Sequence, residues 1–472
     1  MKELDSLIGY VTFDDSEYPF FFDKEHFQLT LIPSSYSLSQ SLSYKWLPDY
    51  PNGLSSQWIK NIVLKGHTRE NYNVQFYVSE SYAIRHSSYI FTVNWVAYSN
   101  HNSDLEHVDG YKIIGGDIDY FYPPRQILEY NFDFDDTDHL KEIVLRAKTQ
   151  PYKNCGAYIY NGVNNVIEVS AIGYSSTKAS EFPLDSKSSL RVSFSKATDI
   201  LYTMETLKHI GLFFEYITFR KNIDLHHVEL LWKNEDGLFA SNGYLLCKNT
   251  LPYEESEKRY SQIISYKYLE EQCASIIELF SNNVLTVRGI KDSIKTQNSH
   301  TPTTIIMMLS AFEREFRLIY GKEYKRSQKY KDAKELLLQT LDDLINKNSG
   351  KTKKYLKGFK RIIEQIDNSY SNMVFFALKD CESIIGPFVL NRYGKCDDNQ
   401  MRIIADRINE LRNEIAHCKL DLEYTPDHLK DIRIVEILTY VIRLKALGLN
   451  TSTIQEAVNK LFDTHLILGL EK

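Results

Sequence analysis

The sequence predicts a multidomain α+β protein: a β-rich N-terminal domain over residues 1–254, then an all-α helical bundle over residues 255–472. Three observations carry this reading. Apolar residues recur in steps of two through the first half and in steps of three and four through the second. The change of period falls near residue 255. Charge divides at the same place, with 22 Lys and Arg against 32 Asp and Glu before residue 255 (net −10) and 34 against 30 after it (net +4).

In the first half, Phe27–Leu31, Asn73–Val78, Tyr89–Tyr98 and Arg191–Ser195 alternate apolar and polar residues, the pattern of half-buried strands. One helix interrupts them, roughly Ala197 to Tyr216. No internal repeat is evident. In the second half, Thr301-Pro302 opens a helix with an N-cap and a proline at the first helical position. Ile305, Met308, Leu309, Phe312, Phe316 and Ile319 line one of its faces, and Gly321 ends it. Further helices are predicted over about 254–280, 328–346, 353–366, 370–385, 399–418, 427–447 and 452–466, with a loop at 346–352. Short connections between such helices specify a bundle.

The chain has 472 residues, enough for two or three domains, and 43% are hydrophobic against 25% charged, the balance of a globular protein. The 33 Tyr and 24 Phe favour strands and ordered packing. No apolar run is long enough to span a bilayer, and the N-terminal stretch lacks the basic flank and apolar core of a signal peptide. The six cysteines are scattered without a CxxC pair, which suggests neither a zinc site nor a disulfide framework. These features predict a cytoplasmic protein with no metal and no cofactor. HExxH, P-loop, GxGxxG and GxSxG motifs are absent. Asp133–Asp138 lacks the glycine and glutamate of a calcium loop and reads as an acidic turn.

The stretch that carries chemistry is Glu410-Leu411-Arg412-Asn413-Glu414-Ile415-Ala416-His417. Met401, Ile404, Ile408, Leu411 and Ile415 repeat at helical spacing and form one narrow apolar stripe. At about 100° per residue, Asn413 and His417 fall nearly opposite that stripe, one turn apart, and Arg412 lies on its flank, about 70° away. Asn413 and His417 therefore face solvent or another protein surface. The bland alternative is a solvated helix end whose histidine complements the helix dipole. Glu414 and His417 also match the ExxH of di-iron bundles, but the second ExxH is missing.

Arg412-Asn413, then three residues, then His417, late in a helical bundle, resembles the Arg-x4–6-His signature of HEPN ribonucleases. Arg220 and His226 fit the same spacing within the β-rich half, where no such role is expected. The resemblance implies catalysis by Arg412, Asn413 and His417, pairing of two copies as a homodimer so that both motifs line one cleft, and an acidic partner on an early helix, for which Glu313 is the candidate. Glu313 also stands four residues before Arg317, the spacing of an ordinary surface ion pair. RNA carries its own nucleophile in the 2′-OH. Cleavage needs a base near neutral pH, which histidine supplies, and a cation for the developing phosphate charge, which arginine supplies. Lys351, Lys353, Lys354, Lys357, Lys360 and Arg361 crowd eleven residues with Tyr355 and Phe359 between them, a pattern suited to RNA backbone contacts and base stacking as well as to a solvated basic face.

The two-part layout also resembles the ApeA-type anti-phage HEPN proteins. The helical half carries the motif. The β-rich half carries a looser likeness, a region ending in Ser193-Phe194, an apolar helix, then a strand at His227–Trp232. This resemblance implies a metal-independent endoribonuclease cleaving RNA (tRNA being the favoured class) in abortive infection, regulated by an N-terminal sensor answering a phage-derived trigger. The alternative is a non-catalytic dimerisation or RNA-binding module beside a ligand-recognising N-terminal domain. A third reading, an active site around Asp117-Ile118-Asp119, has no nucleophile and base beside it in the sequence.

Overall fold

The structure, a computed structural model, describes residues 7–13, 15–32, 61–85, 88–134, 140–148, 150–175, 184–225, 227–248, 251, 261–321, 328–365, 369–417 and 423–467. It is a mixed α+β protein. Among the described residues no helix is long and apolar enough to cross a membrane.

Strands β1 (Leu7–Phe13), β2 (Ser16–Asp23), β3 (Gln28–Leu31), β4 (Asn61–Thr68), β5 (Tyr72–Arg85) and β6 (Ser88–Asn100) close into a six-stranded antiparallel barrel. The ring runs β1–β2–β3–β6–β5–β4 and returns to β1. Alternation places Leu7, Val11, Phe20, Phe22, Leu29, Phe76 and Phe91 inside, where they form one apolar core. The seam between β1 and β4 needs glycine. A Cβ on Gly9 would lie 2.0 Å from the His67 carbonyl oxygen, and one on Gly66 2.0 Å from that of Tyr10.

One edge of β6 is shared. Residues 89–92 pair with β3, and residues 95–99 pair with β14 (Phe239–Cys247). From β14 the sheet continues through β13 (Val228–Lys233), β7 (Val108–Ile114), β12 (Leu184–Thr198), β11 (Val163–Ser175) and β10 (Lys153–Tyr160). β8 (Leu128–Phe134) and β9 (Leu140–Ala147) form a separate hairpin. The short helix α1 (Asp117–Phe121) follows β7, and Phe121 packs edge-on against Phe213 and Phe214 of α2 (Ile200–Thr218). Asp117 is buried and accepts the Asp224 amide at 2.7 Å, while Asp119 accepts the Ser188 amide at 2.6 Å. Both carboxylates are engaged in tying backbone together.

The remaining helices are α3 (Tyr266–Leu269), α4 (Gln272–Ser281), α5 (Pro302–Tyr320), α6 (Gln328–Lys347), α7 (Gly350–Gln365), α8 (Tyr370–Asp380), α9 (Glu382–Tyr393), α10 (Asp398–Ala416), α11 (Pro426–Ala446) and α12 (Thr451–Leu461). Two compact units emerge. One comprises Met1–Glu215, Asn222–Glu255 and Ser265–Val284, the other Tyr216–Lys221, Ser256–Ile264 and Leu285–Lys472. The division thus crosses the chain several times, where a single cut at 254/255 was expected. The reason is that α4, helical by period, packs on β10.

α5 begins at the capping Thr301, whose side chain accepts the Thr304 amide, and ends at Gly321 with φ of 75°. The helix expected over 370–385 is instead two, broken at Cys381, and the second runs on to Tyr393 through Pro387. α7 starts at Gly350, inside the predicted loop. α11 is buried along most of its length and packs on α5. It carries Arg443 into the interior, where Nε and Nη2 sit 2.7 and 2.6 Å from Oε2 of the buried Glu315.

Candidate functional site

α10 is fixed at both its polar and its apolar sides. Asp397 caps it by accepting the Gln400 amide at 2.7 Å. Met401, Ile404, Ile408 and Leu411 are fully buried, and Ile415 at the end of the stripe is half-buried. Arg402 lies over the Phe375 ring at 3.8 Å and donates to Asn372 of α8 at 3.0 Å. Arg407 reaches α11, with Nε 2.8 Å from Asp431 Oδ2 and Nη1 3.0 Å from Asp427 Oδ2. Tyr393 donates its hydroxyl to the same Asp431.

These contacts aim Arg412 at α5 and α8. Its Nη2 donates to Glu313 Oε2 at 3.2 Å. Its guanidinium carbon stands 5.1 Å from the centre of the Tyr370 ring, within range of a cation–π contact. Tyr370 is buried and donates its hydroxyl to the Leu309 carbonyl at 3.0 Å, which holds the ring in place. Burial pushes that hydroxyl well above the ordinary tyrosine range, so it remains a neutral donor. Glu313 bridges two arginines. Its Oε1 accepts Nε and Nη2 of Arg317 at 3.1 and 2.8 Å, while Oε2 takes Arg412. The surface pair expected from spacing and the reach to Arg412 therefore coexist. Arg412 Nε is buried with no hydrogen-bond partner among the described residues.

Asn413 and His417 are exposed, and the His417 amide donates to the Asn413 carbonyl at 2.9 Å. His417 is the C-cap of α10, and its imidazole makes no hydrogen bond among the described residues. Residues 418–422 lie outside the described residues. Of the second pair that fits the spacing, Arg220 is almost fully buried and His226 lies outside the described residues. Arg412, at the edge of solvent, is the accessible arginine of the two.

Lys351, Lys353, Lys354, Lys357, Lys360 and Arg361 all fall on α7. Lys360 is turned towards α6, where its ammonium lies 2.6 Å from Asp342 Oδ1, and that hydrogen bond holds its pKa above the ordinary lysine value. The others carry no ion pair among the described residues. Tyr370 is the residue the sequence did not single out. Its signal was its place immediately after the N-capping Ser369, at the start of a helix predicted to lie in the same bundle.

Among the described residues no three His, Cys, Asp or Glu side chains converge in a way that could hold a metal ion. The five described cysteines are free thiols. No protein-family model, curated protein or solved structure matches this chain.

Proposed function

We propose that this chain is a metal-independent endoribonuclease of the HEPN type, acting through Arg412 and His417. The observation that carries the reading is the contact of Glu313 with Arg412 across two helices, with Asn413 and His417 exposed along the same helix end. A carboxylate from an early helix meeting the motif arginine is the acidic partner that the HEPN resemblance implies.

The chemistry follows from the residues. His417 takes the proton of a ribose 2′-OH as the oxygen attacks the adjacent phosphorus. The P–O5′ bond breaks, leaving a 2′,3′-cyclic phosphate, and the departing 5′-oxygen takes a proton from water to become a 5′-hydroxyl, while His417 returns its proton to solvent. Arg412 faces the phosphate oxygens on which charge grows. Glu313 and Tyr370 hold the guanidinium in place, so its planar fork needs little reorganisation during the reaction. Asn413 hydrogen-bonds a phosphate oxygen or orients His417. Two copies pair through the exposed side of α10, placing both motifs in one cleft. RNA, with tRNA as the favoured class, is the substrate. The biological setting is anti-phage defence by abortive infection, with the barrel-containing unit as regulator.

Purified protein incubated with total RNA tests this. His417→Ala is expected to lose about 10²- to 10⁴-fold in cleavage rate, the span of a general base, with an unchanged melting temperature. Full activity in that variant overturns the reading. Stable RNA binding with no cleavage by the parent protein would favour a non-catalytic RNA-binding module.

A further inference from the structure

α7 presents two solvent-facing sectors of unlike chemistry. Tyr355, Phe359 and Ile362, spaced by four and three residues, lie on one face and are 63%, 56% and 62% exposed. Lys354, Lys357 and Arg361 lie along another face and are exposed, without ion pairs among the described residues. The third sector packs on α6, where Leu341 and Ile345 are buried and Lys360 meets Asp342. At about 100° per residue the three sectors are roughly 120° apart, and Lys351 borders the aromatic stripe.

A helix of this kind is unusual on this chain. Residues 350–365 hold six Lys and Arg and one Glu, net +5, which leaves −11 for the other 456 residues. So concentrated a positive charge on an acidic protein fits a polyanion. Large apolar side chains exposed in series gain nothing from water. Aromatic rings beside unpaired cations offer flat faces to bases and charge to the phosphates that join them. A duplex hides its base faces, whereas an unpaired strand can turn them outward.

We infer that α7 is a docking arm for unpaired RNA, with the strand's phosphates along Lys354, Lys357 and Arg361 and its bases on Tyr355 and Phe359. This rests on the ribonuclease reading for its choice of RNA, and it names the substrate as a single-stranded segment such as a loop or tail. Lys360 takes no part, because its ammonium is held by Asp342.

The test uses the full chain carrying His417→Ala, a fluorescent single-stranded RNA 20-mer, a duplex of equal length, and vesicles containing phosphatidylserine. Fluorescence anisotropy over a range of salt concentrations reads affinity. Tyr355→Ala with Phe359→Ala is expected to weaken single-strand binding about tenfold or more, and Phe359→Tyr to restore most of the loss at that position. Changing Lys354, Lys357 and Arg361 to Gln is expected to lower the slope of log affinity against log salt by about 2. Lys360→Gln is expected to change neither. The inference is overturned if the aromatic and charge variants bind as the parent does, if the duplex binds equally well, if the protein binds vesicles and not RNA, or if the stripe is buried in a dimer that Phe359→Ala dissociates. Failure here is separable from failure of the nuclease once the α7 substitutions are also made with His417 intact: an α7-dependent complex that this protein leaves uncut keeps the arm and removes the enzyme, while cleavage by this protein indifferent to α7 does the reverse.

Discussion

Glu313 and Glu315 stand two residues apart on α5, about 200° around the helix from each other, and each meets an arginine. The regions they enter could hardly differ more. Glu315 and Arg443 lie in the interior, 3% and 8% exposed, while Glu313 and Arg412 lie at the edge of solvent, 23% and 33% exposed. Burial raises the Glu315 pKa despite the two short contacts from Arg443, because desolvation outweighs the attraction. The same pair of residue types thus serves structure at one depth and remains available for chemistry at another.

The largest effect that could break this comparison is on folding. Glu315→Ala leaves the Arg443 guanidinium buried and unpaired, and is expected to cost about 3–5 kcal/mol of stability in urea unfolding. A loss below about 1 kcal/mol would contradict the assignment of this pair to the core. The mirror prediction concerns the solvent edge. Arg412→Ala is expected to lower kcat about 10²- to 10³-fold, as loss of a charge-stabilising donor does. Glu313→Gln should lower kcat less, about tenfold or more through looser positioning, with little change in melting temperature. A stability loss in Glu313→Gln as large as that of Glu315→Ala would erase the distinction.

A smaller, pH-dependent effect sharpens it. Glu229 in β13 lies beside Lys112 at 2.8 Å, but is less deeply enclosed than Glu315. Burial alone would raise its pKa, yet the neighbouring His227 and the Lys112 ammonium hold it at about 2. A carboxylate lowered on folding contributes stability above its unfolded pKa of 4.5 and loses it as pH falls towards 2. Glu315 has the opposite sign. Its raised pKa favours the folded state as pH falls through that raised value towards 4.5. Acid unfolding followed by Trp95 and Trp232 fluorescence, with Glu229→Gln as control, is expected to lose its steepest part in the variant. An unchanged acid limb would refute the Glu229 contribution.

Some of what builds the candidate site is legible in the sequence. The caps of α5 and the apolar stripe of α10 are local features, written in residue types at helical spacing. Glu313 was named through the family resemblance, which implies an acidic residue on an early helix, and through its spacing to Arg317; its contact with Arg412 joins two helices that no local spacing connects. What eluded the sequence was relational. Period two marks Tyr89–Tyr98 as a strand but cannot say that β6 shares one edge between β3 and β14, or that glycines let β1 and β4 close a barrel. The break at Cys381 joins two apolar helices with no glycine between them, so period alone ran through it. Lys360 looked like its basic neighbours, and only the packing of α7 on α6 separates it from them.

The most direct measurement is the chemistry of the ends. Total RNA is incubated with the protein in EDTA, and the fragments are mapped. The account predicts cleavage without added metal, fragments ending in 2′,3′-cyclic phosphate and beginning with 5′-hydroxyl, and no cutting where the ribose at the scissile step is replaced by 2′-deoxyribose. Cleavage that needs magnesium, or that leaves 3′-hydroxyl and 5′-phosphate ends, would contradict it.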